Sequence, residues 1–284
     1  EMLRSLVGSE MCIRDRYVTG TVLKTAIKCG IKTALHESNS LPGVSVKMLA
    51  PKADLVMLGT EDAKKHLGEC KKCVVTGNPL RNNIPIEEKS AARKRLGLPD
   101  CLTILSAGGS QGASRLNEAV VQLLAYEQKK GNINHIHGYG KHGRDTFMQS
   151  LADNGVDAGN PHFIIKEYID NMYTCMCASD LIITRAGAMT LTEITAIGRA
   201  SVLIPYPYAA ENHQYYNALT LQNANAGRII DDKELTGSVL IDTVNRLADD
   251  PELLRLMSEN AAKLSKRDAA GIILREITEL MGIK

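Results

Sequence analysis

Between Glu193 and Asn217 the chain carries four polar side chains whose types suit a carbohydrate-bearing ligand: Glu193, His213, Gln214 and Asn217. A carboxylate accepts two hydroxyl donors at once, so Glu193 could hold both hydroxyls of a ribose. His213 and Asn217 are spaced to share one face of a helix with Gln214 beside them, which suits the hydroxyls of a sugar. Each residue also has a plainer reading. Thr190-Leu191-Thr192-Glu193 has the spacing of a capping box, which needs no ligand, and His213 to Asn217 could be the polar face of a surface helix.

Groups for a phosphate lie elsewhere. Ala107-Gly108-Gly109-Ser110-Gln111-Gly112-Ala113 follows a β-branched run and precedes an amphipathic helix. Glycines let the backbone approach a ligand closely, and the free amides of a helix start favour an anion such as a diphosphate. The spacing matches neither a Walker loop nor G-x-G-x-x-G, and a tight strand-to-helix turn would look the same. Arg81, just past a turn, could clamp a diphosphate with two parallel hydrogen bonds or stand as a solvated charge. Tyr168-Ile169-Asp170-Asn171-Met172 reads as a helix start capped by Asp170, whose amides could meet a base edge. The polar turn His36-Glu37-Ser38-Asn39-Ser40-Leu41-Pro42-Gly43 reads either as a ligand loop or as ordinary turn chemistry.

Two further patterns favour structure over chemistry. His135 and His137 alternate on one strand and read as buried, hydrogen-bonded core histidines in preference to metal ligands. Cys70 and Cys73, with His66 four residues earlier, lack a fourth ligand and a second paired motif, so they read as thiols flanking a strand start. The seven cysteines, 12, 29, 70, 73, 101, 175 and 177, are odd in number and scattered, which fits free thiols better than a disulfide framework.

The elements that must carry these groups alternate. Strands are expected at Lys32 to His36, Ala53 to Leu58, Val74 to Asn78, Leu102 to Ser106, Ile133 to His137, Phe163 to Lys166, Leu181 to Thr184, Ala200 to Pro205 and Arg228 to Ile230. Helices are expected between them, the earliest over Gly20 to Cys29 and Pro42 to Ala50. Alternation at this pace implies parallel sheets, which bind ligands beyond the carboxyl ends of their strands. A charged helix and connector over Glu87 to Pro99 marks a domain boundary, and the tail from Lys233 reads as helical with breaks near Pro251 and Asp268. A formal charge of +2 over 284 residues, with acids and bases interspersed and no Trp, excludes a general nucleic-acid surface. No apolar run is long enough to span a bilayer.

Six ordered motifs together resemble the MurG family of bacterial peptidoglycan N-acetylglucosaminyltransferases. They are His36-Glu37-x-Asn39-x-x-Pro42-Gly43, Thr76-Gly77-Asn78-Pro79-x-Arg81, Gly108-Gly109-Ser110-Gln111-Gly112-Ala113, Ile169-Asp170-Asn171-Met172, Arg185-Ala186-Gly187-Ala188-x-Thr190-x-x-Glu193, and Asn212-His213-Gln214-x-x-Asn217-Ala218. The resemblance implies an α/β fold of the GT-B type, two Rossmann-like domains facing across a cleft, with no essential catalytic metal and no cofactor. It implies transfer of N-acetylglucosamine, with inversion, from UDP-N-acetylglucosamine to lipid I, the undecaprenyl-diphospho-muramoyl pentapeptide, giving lipid II. That places the protein peripherally at the cytoplasmic face of the bacterial plasma membrane.

Carried over by position, Glu193 would hold the ribose and the Ile169 backbone the uracil. His213, Gln214 and Asn217 would hold the sugar. Ser110, Gln111 and Arg81 would surround the diphosphate, and Ala188, Met189 and Thr190 would complete the donor pocket. His36, Glu37 and Asn39 are the acceptor-side candidates; the general base stays unassigned. Residues 81–268 would form the donor domain, 17–80 a partial acceptor and membrane-side domain, and 269–284 a helix packing back on the latter. Rival expectations are a UDP-sugar-binding fragment without turnover and a UDP-N-acetylglucosamine epimerase-like enzyme.

Two departures from the family pattern stand out. Ser38 occupies a position where the family usually has Gln. The family's opening strand and its Gly-Gly-x-Gly-Gly-His loop have no counterpart before Tyr17, and residues 1–16 read as a non-native or disordered tail. The expectation is therefore an N-terminally truncated chain that binds UDP-N-acetylglucosamine weakly to moderately and turns over poorly. Lys24 and Lys28 would retain a small basic face for the membrane.

Overall fold

The computed structural model describes residues 20–81 and 86–283, so the expected tail at residues 1–16 lies outside the described residues. The chain divides into two compact units, one ending at Leu80 and resumed at Lys266, the other Arg81–Ser265.

The first unit holds a parallel sheet in the order β1-β2-β3, with β1 at Ala34–Glu37, β2 at Leu55–Leu58 and β3 at Cys73–Val75. Helix α1 (residues 20–28) contributes Leu23 and Ile27 to a core of Leu35, Leu49, Val56 and Leu58. Helix α2 spans Val44–Leu49. Three-residue helical turns over Glu61–His66, which no sequence signal announced, bury Ala63.

The second unit is a six-stranded parallel sheet. Its strands are β4 (Leu102–Ala107), β5 (Ile133–Gly138), β6 (Phe163–Lys166), β7 (Leu181–Thr184), β8 (Ala200–Leu203) and β9 (Gly227–Ile229). Their order is β6-β5-β4-β7-β8-β9. The chain winds outward from β4 to β6, then returns to start again beside β4 at β7. This is the dinucleotide-fold order, and its reversal leaves a crevice at the carboxyl ends of β4 and β7. Each strand of this sheet agrees with its expected position to within two residues, whereas β3 of the first unit ends at Val75, three residues before the expected Asn78.

Both faces of this sheet are covered, as a parallel sheet requires. Successive side chains on β4 enter opposite layers: Ile104 joins α4 (Ser114–Lys130), α9 (Gly237–Ala248) and α10 (Pro251–Lys263), and Leu105 joins α3 (Lys89–Leu96), α6 (Met172–Ala178), α7 (Ala188–Ile197) and α8 (His213–Asn223). Burying each such side chain contributes about 1.5–3 kcal/mol. A short α5 (Phe147–Asp153) lies between β5 and β6. Arg199 closes the ends of α6 and α7, donating to the carbonyls of Met176, Cys177, Ile197 and Gly198.

Helix α11 (Ala269–Met281) belongs to the first unit. Lys72 pairs with Glu276 at 2.7 Å and Glu279 at 3.0 Å, and Lys32 Nζ donates to the Leu280 carbonyl.

Two expected caps are corrected. The N-cap of α6 is Asn171, one residue beyond Asp170, and its side chain makes no capping bond. The N-cap of α7 is Gly187, so Thr190 lies inside the helix and Thr190 to Glu193 is not a capping box. The turn after β7 is only three residues long, and it starts the helix before Thr190 is reached.

Candidate active site

Glycine chemistry shapes the loop after β4. Gly109 and Gly112 have φ of 90° and 86°, and a Cβ on Gly112 would meet the Tyr139 carbonyl oxygen at 2.3 Å. The loop is pressed against the segment after β5, where the amides of Lys141 and His142 donate to the carbonyls of Ser110 (3.2 Å) and Gln111 (2.8 Å). Asn117 Nδ2 donates to the Tyr139 carbonyl at 2.9 Å and locks the same junction. Ser110 and Gln111 themselves are exposed. One amide is not free for an anion: the Gly112 N–H is bonded to the Gly109 carbonyl at 2.9 Å.

Across the crevice, the β7–α7 turn is held from both sides. Arg185 Nη1 donates to the carbonyls of Ile204 and Pro205 and pairs with Asp232 at 2.6 Å. Ala186 is fully buried, and α7 then starts with its first amides toward the crevice end of the sheet. Thr190 and Glu193, three residues apart on one helix face, line a cavity of about 90 Å³ with Gly109, Ala107, Thr184, Met172 and Met176. The sequence therefore brings the glycine loop and the carboxylate to one place.

Glu193 is freed by the loss of the capping role. Its Oε1 accepts a hydrogen bond from Tyr173 on α6 at 2.9 Å. Burial pushes the Glu193 carboxyl above its ordinary range, while the Tyr173 bond and the positive charge of Arg81 draw it back. Burial and the bond to Glu193 push the Tyr173 hydroxyl up to about 12. Arg81 is exposed and close enough to act electrostatically on both groups.

The three α8 residues differ in what they hold. His213 Nδ1 donates to the Ala210 carbonyl at 2.8 Å, which leaves Nε2 as the acceptor nitrogen. Gln214 Oε1 accepts from the amides of Ala186 and Tyr206, so its NH₂ group is left to donate. Asn217 is buried, and its Nδ2 donates to the Ala186 carbonyl at 3.2 Å. Glu211 and Asn212, with φ of 51° and 55°, turn the chain sharply into α8. Ile169 is buried against Gly138, just ahead of the turn into α6.

In the first unit, His36 Nε2 donates to the Gly77 carbonyl at 3.0 Å, and Asn78 Nδ2 to that of Ser38. The buried Glu37 carboxylate closes its own turn, accepting from the Asn39 amide and side chain and from the Gly43 amide. These bonds are the turn chemistry that the spacing also allowed.

His135 and His137 are fully buried, as expected of core histidines. They form a relay that the sequence did not reveal. Ser106 Oγ lies 2.7 Å from His137 Nδ1 and 2.6 Å from His135 Nε2, and His135 Nδ1 lies 2.7 Å from Glu127 Oε2. With every ring neutral, His137 donates to Ser106, Ser106 to His135 and His135 to Glu127, leaving His137 Nε2 as a bare lone pair. Among the described residues no group of three or more His, Cys, Asp or Glu side chains could hold a metal, the Cys70–Cys73 pair included.

Sequence spacing could not have found Tyr173, because it reaches Glu193 through the packing of α6 on α7. Arg185 had one signal, a cation beside three small residues at a strand end.

A doubly wound sheet with a glycine loop, a helix start and a carboxylate at its reversal point defines a domain of the dinucleotide-fold class, and residues 103–272 match the glycosyltransferase family 28 C-terminal domain. The chain is 37% identical over 267 residues to the UDP-N-acetylglucosamine--N-acetylmuramyl-(pentapeptide) pyrophosphoryl-undecaprenol N-acetylglucosamine transferase of Desulforamulus reducens, covering 93% of this chain and 72% of that one. The crystal structure of Acinetobacter baumannii MurG superposes with a TM-score of 0.76 at 27% identity, covering 93% of this chain and 71% of that one. The chain belongs to the MurG family of glycosyltransferases, with the GT-B fold. The UDP-GlcNAc 2-epimerase of Neisseria meningitidis, at 15% identity and a TM-score of 0.62 over 92% of this chain and 73% of its own, shares the fold alone.

Proposed function

We propose that the chain is an inverting N-acetylglucosaminyltransferase that moves the sugar from UDP-N-acetylglucosamine to lipid I. The observation that carries this is the convergence of the Gly109 loop, the start of α7 and Glu193 at the β4–β7 reversal, in a chain of this family. On this reading Arg81–Ser265 contains the donor site and the first unit the acceptor side, with His36 and Asn39 nearest the acceptor. Glu193 accepts the ribose hydroxyls and the Ile169 backbone meets the uracil. His213 Nε2, the Gln214 NH₂ and Asn217 address the sugar.

The reaction is a direct displacement: the acceptor hydroxyl attacks the anomeric carbon as negative charge builds on the departing diphosphate. Backbone amides of Gly109 to Gln111 and those of Ala188 to Thr190 are fixed donors for that charge, and the exposed Arg81 guanidinium adds a positive charge nearby. No residue is assigned as the general base.

The acceptor is lipid-borne, so the protein must meet a membrane surface at the cytoplasmic face. The exposed Lys24 and Lys28 on α1, with Val22 also exposed, support peripheral contact. No helix among the described residues is long and apolar enough to cross a membrane.

The deciding experiment is incubation of labelled UDP-N-acetylglucosamine with and without lipid I. UDP release that requires lipid I supports transfer. Isomerised sugar without acceptor would instead support an epimerase, and binding with neither product a sugar-nucleotide-binding module.

A further inference from the structure

Resting on the reading of Glu193 as the ribose ligand, we propose that Tyr173 is a positioning residue that sets the carboxylate for the 2′,3′-diol and so makes the site selective for ribonucleotides. Glu193 is a long side chain on the crevice face of α7, and among the described residues Tyr173 is its one hydrogen-bond partner. Left alone, such a side chain samples several rotamers, and ordering it on binding opposes affinity. Tyr173 has two side-chain torsions, and its ring packs against the core shared by α6 and α7. It therefore holds Glu193 Oε1 before any ligand arrives. A tyrosine hydroxyl has a single hydrogen, and donating it to Glu193 occupies one lone pair of Oε1; the other lone pair of Oε1 and those of Oε2 are left for the two ribose hydroxyls. The hydroxyl stays protonated, and so stays a donor, throughout the neutral range.

The test is titration calorimetry of the full chain with UDP and with 2′,3′-dideoxy-UDP, for the wild type, Tyr173→Phe, Tyr173→His and Glu193→Ala. The wild type is expected to prefer UDP. Tyr173→Phe should weaken UDP about five- to tenfold while leaving the dideoxy nucleotide within about twofold. Tyr173→His, which keeps a ring and an N–H donor, should recover part of the preference. Equal weakening of both nucleotides by Tyr173→Phe would mean a displaced α6 and overturn the proposal, as would an unchanged preference. If the Phe variant does not fold, Tyr173→His against Tyr173→Leu carries the same comparison. Glu193→Ala separates the two levels: loss of the preference there, with none in the Tyr173 variants, rejects the role of Tyr173 alone. An unchanged preference in Glu193→Ala rejects the ribose reading itself.

Discussion

Gln214 Oε1 accepts hydrogen bonds from the amides of Ala186, at 3.2 Å, and Tyr206, at 2.9 Å, so one side-chain oxygen ties the turn after β7 to the turn after β8. The scaffold contacts fall on the oxygen and the proposed sugar contact on the nitrogen of the same amide. Gln214→Glu keeps the acceptor and loses the NH₂ donor; it should fold with a melting point close to the wild type but show a raised KM for the donor sugar. Gln214→Leu leaves both backbone amides without their acceptor and should cost about 1–3 kcal/mol of stability, measured by urea unfolding.

Arg185 is the second anchor of that region. Arg185→Ala would remove the nearer partner of the largely buried Asp232 carboxylate and leave it to Arg115, 3.8 Å away, and urea denaturation should show a loss of up to about 3 kcal/mol. Arg185→Ala combined with Asp232→Asn should recover part of the loss. Full additivity of the two changes would show that the pair is not coupled.

On the reading of Glu193 as the ribose ligand, its raised pKa gives UDP binding a pH dependence. Only the ionised carboxylate accepts from two hydroxyls, so UDP affinity should fall as pH drops through the raised value, at a higher pH than for an ordinary glutamate. Desolvation also makes the ionised group unfavourable to the fold at neutral pH, a penalty that disappears as pH falls through the folded-state pKa. Glu193→Gln should therefore weaken UDP yet unfold at equal or higher urea concentration at pH 7.

Burial, and after it the neighbouring His135, holds the His137 ring well below its ordinary pKa. The unfolded chain then binds a proton near pH 6.5 that the folded chain refuses. Stability from this group is complete above that pH and falls on acidification by up to about 1.4 kcal/mol per pH unit. The buried Glu127, pushed upward chiefly by desolvation, acts in the opposite sense above the ordinary carboxyl range. Unfolding measured between pH 7 and 5.5 should show a shallower slope for His137→Gln than for the wild type.

Gly112→Ala tests the loop. The added methyl meets the Tyr139 carbonyl oxygen at a backbone angle that L-residues rarely adopt. A loss of about 1–3 kcal/mol in stability is expected, with a larger fall in UDP affinity than strain at a remote site would give.

The strands and their order of appearance were legible because β-branched runs such as Leu181 to Thr184 are short, apolar and bounded by turn residues. Motif spacing also located Glu193 and the glycine loop. Spacing could not tell a capping box from a cavity wall, since that depends on whether α7 starts at Gly187 or at Thr190. Nor could it pair Tyr173 with Glu193 or Ser106 with two histidines, because those contacts arise from layers meeting in three dimensions. The tie that Gln214 makes between two turns was hidden for the same reason: its oxygen finds the Ala186 and Tyr206 amides only once the neighbouring turns are in place.

The return of the chain to β4 also bears on when the site comes into being. Gly109 and Glu193 lie on segments joined through the β4–β7 pairing, which Asp180 seals by accepting from the Thr103 amide at 2.8 Å across 77 residues. Neither segment owns a pocket before that long-range closure, so nucleotide capture during refolding would serve as a clock for completion of the whole sheet.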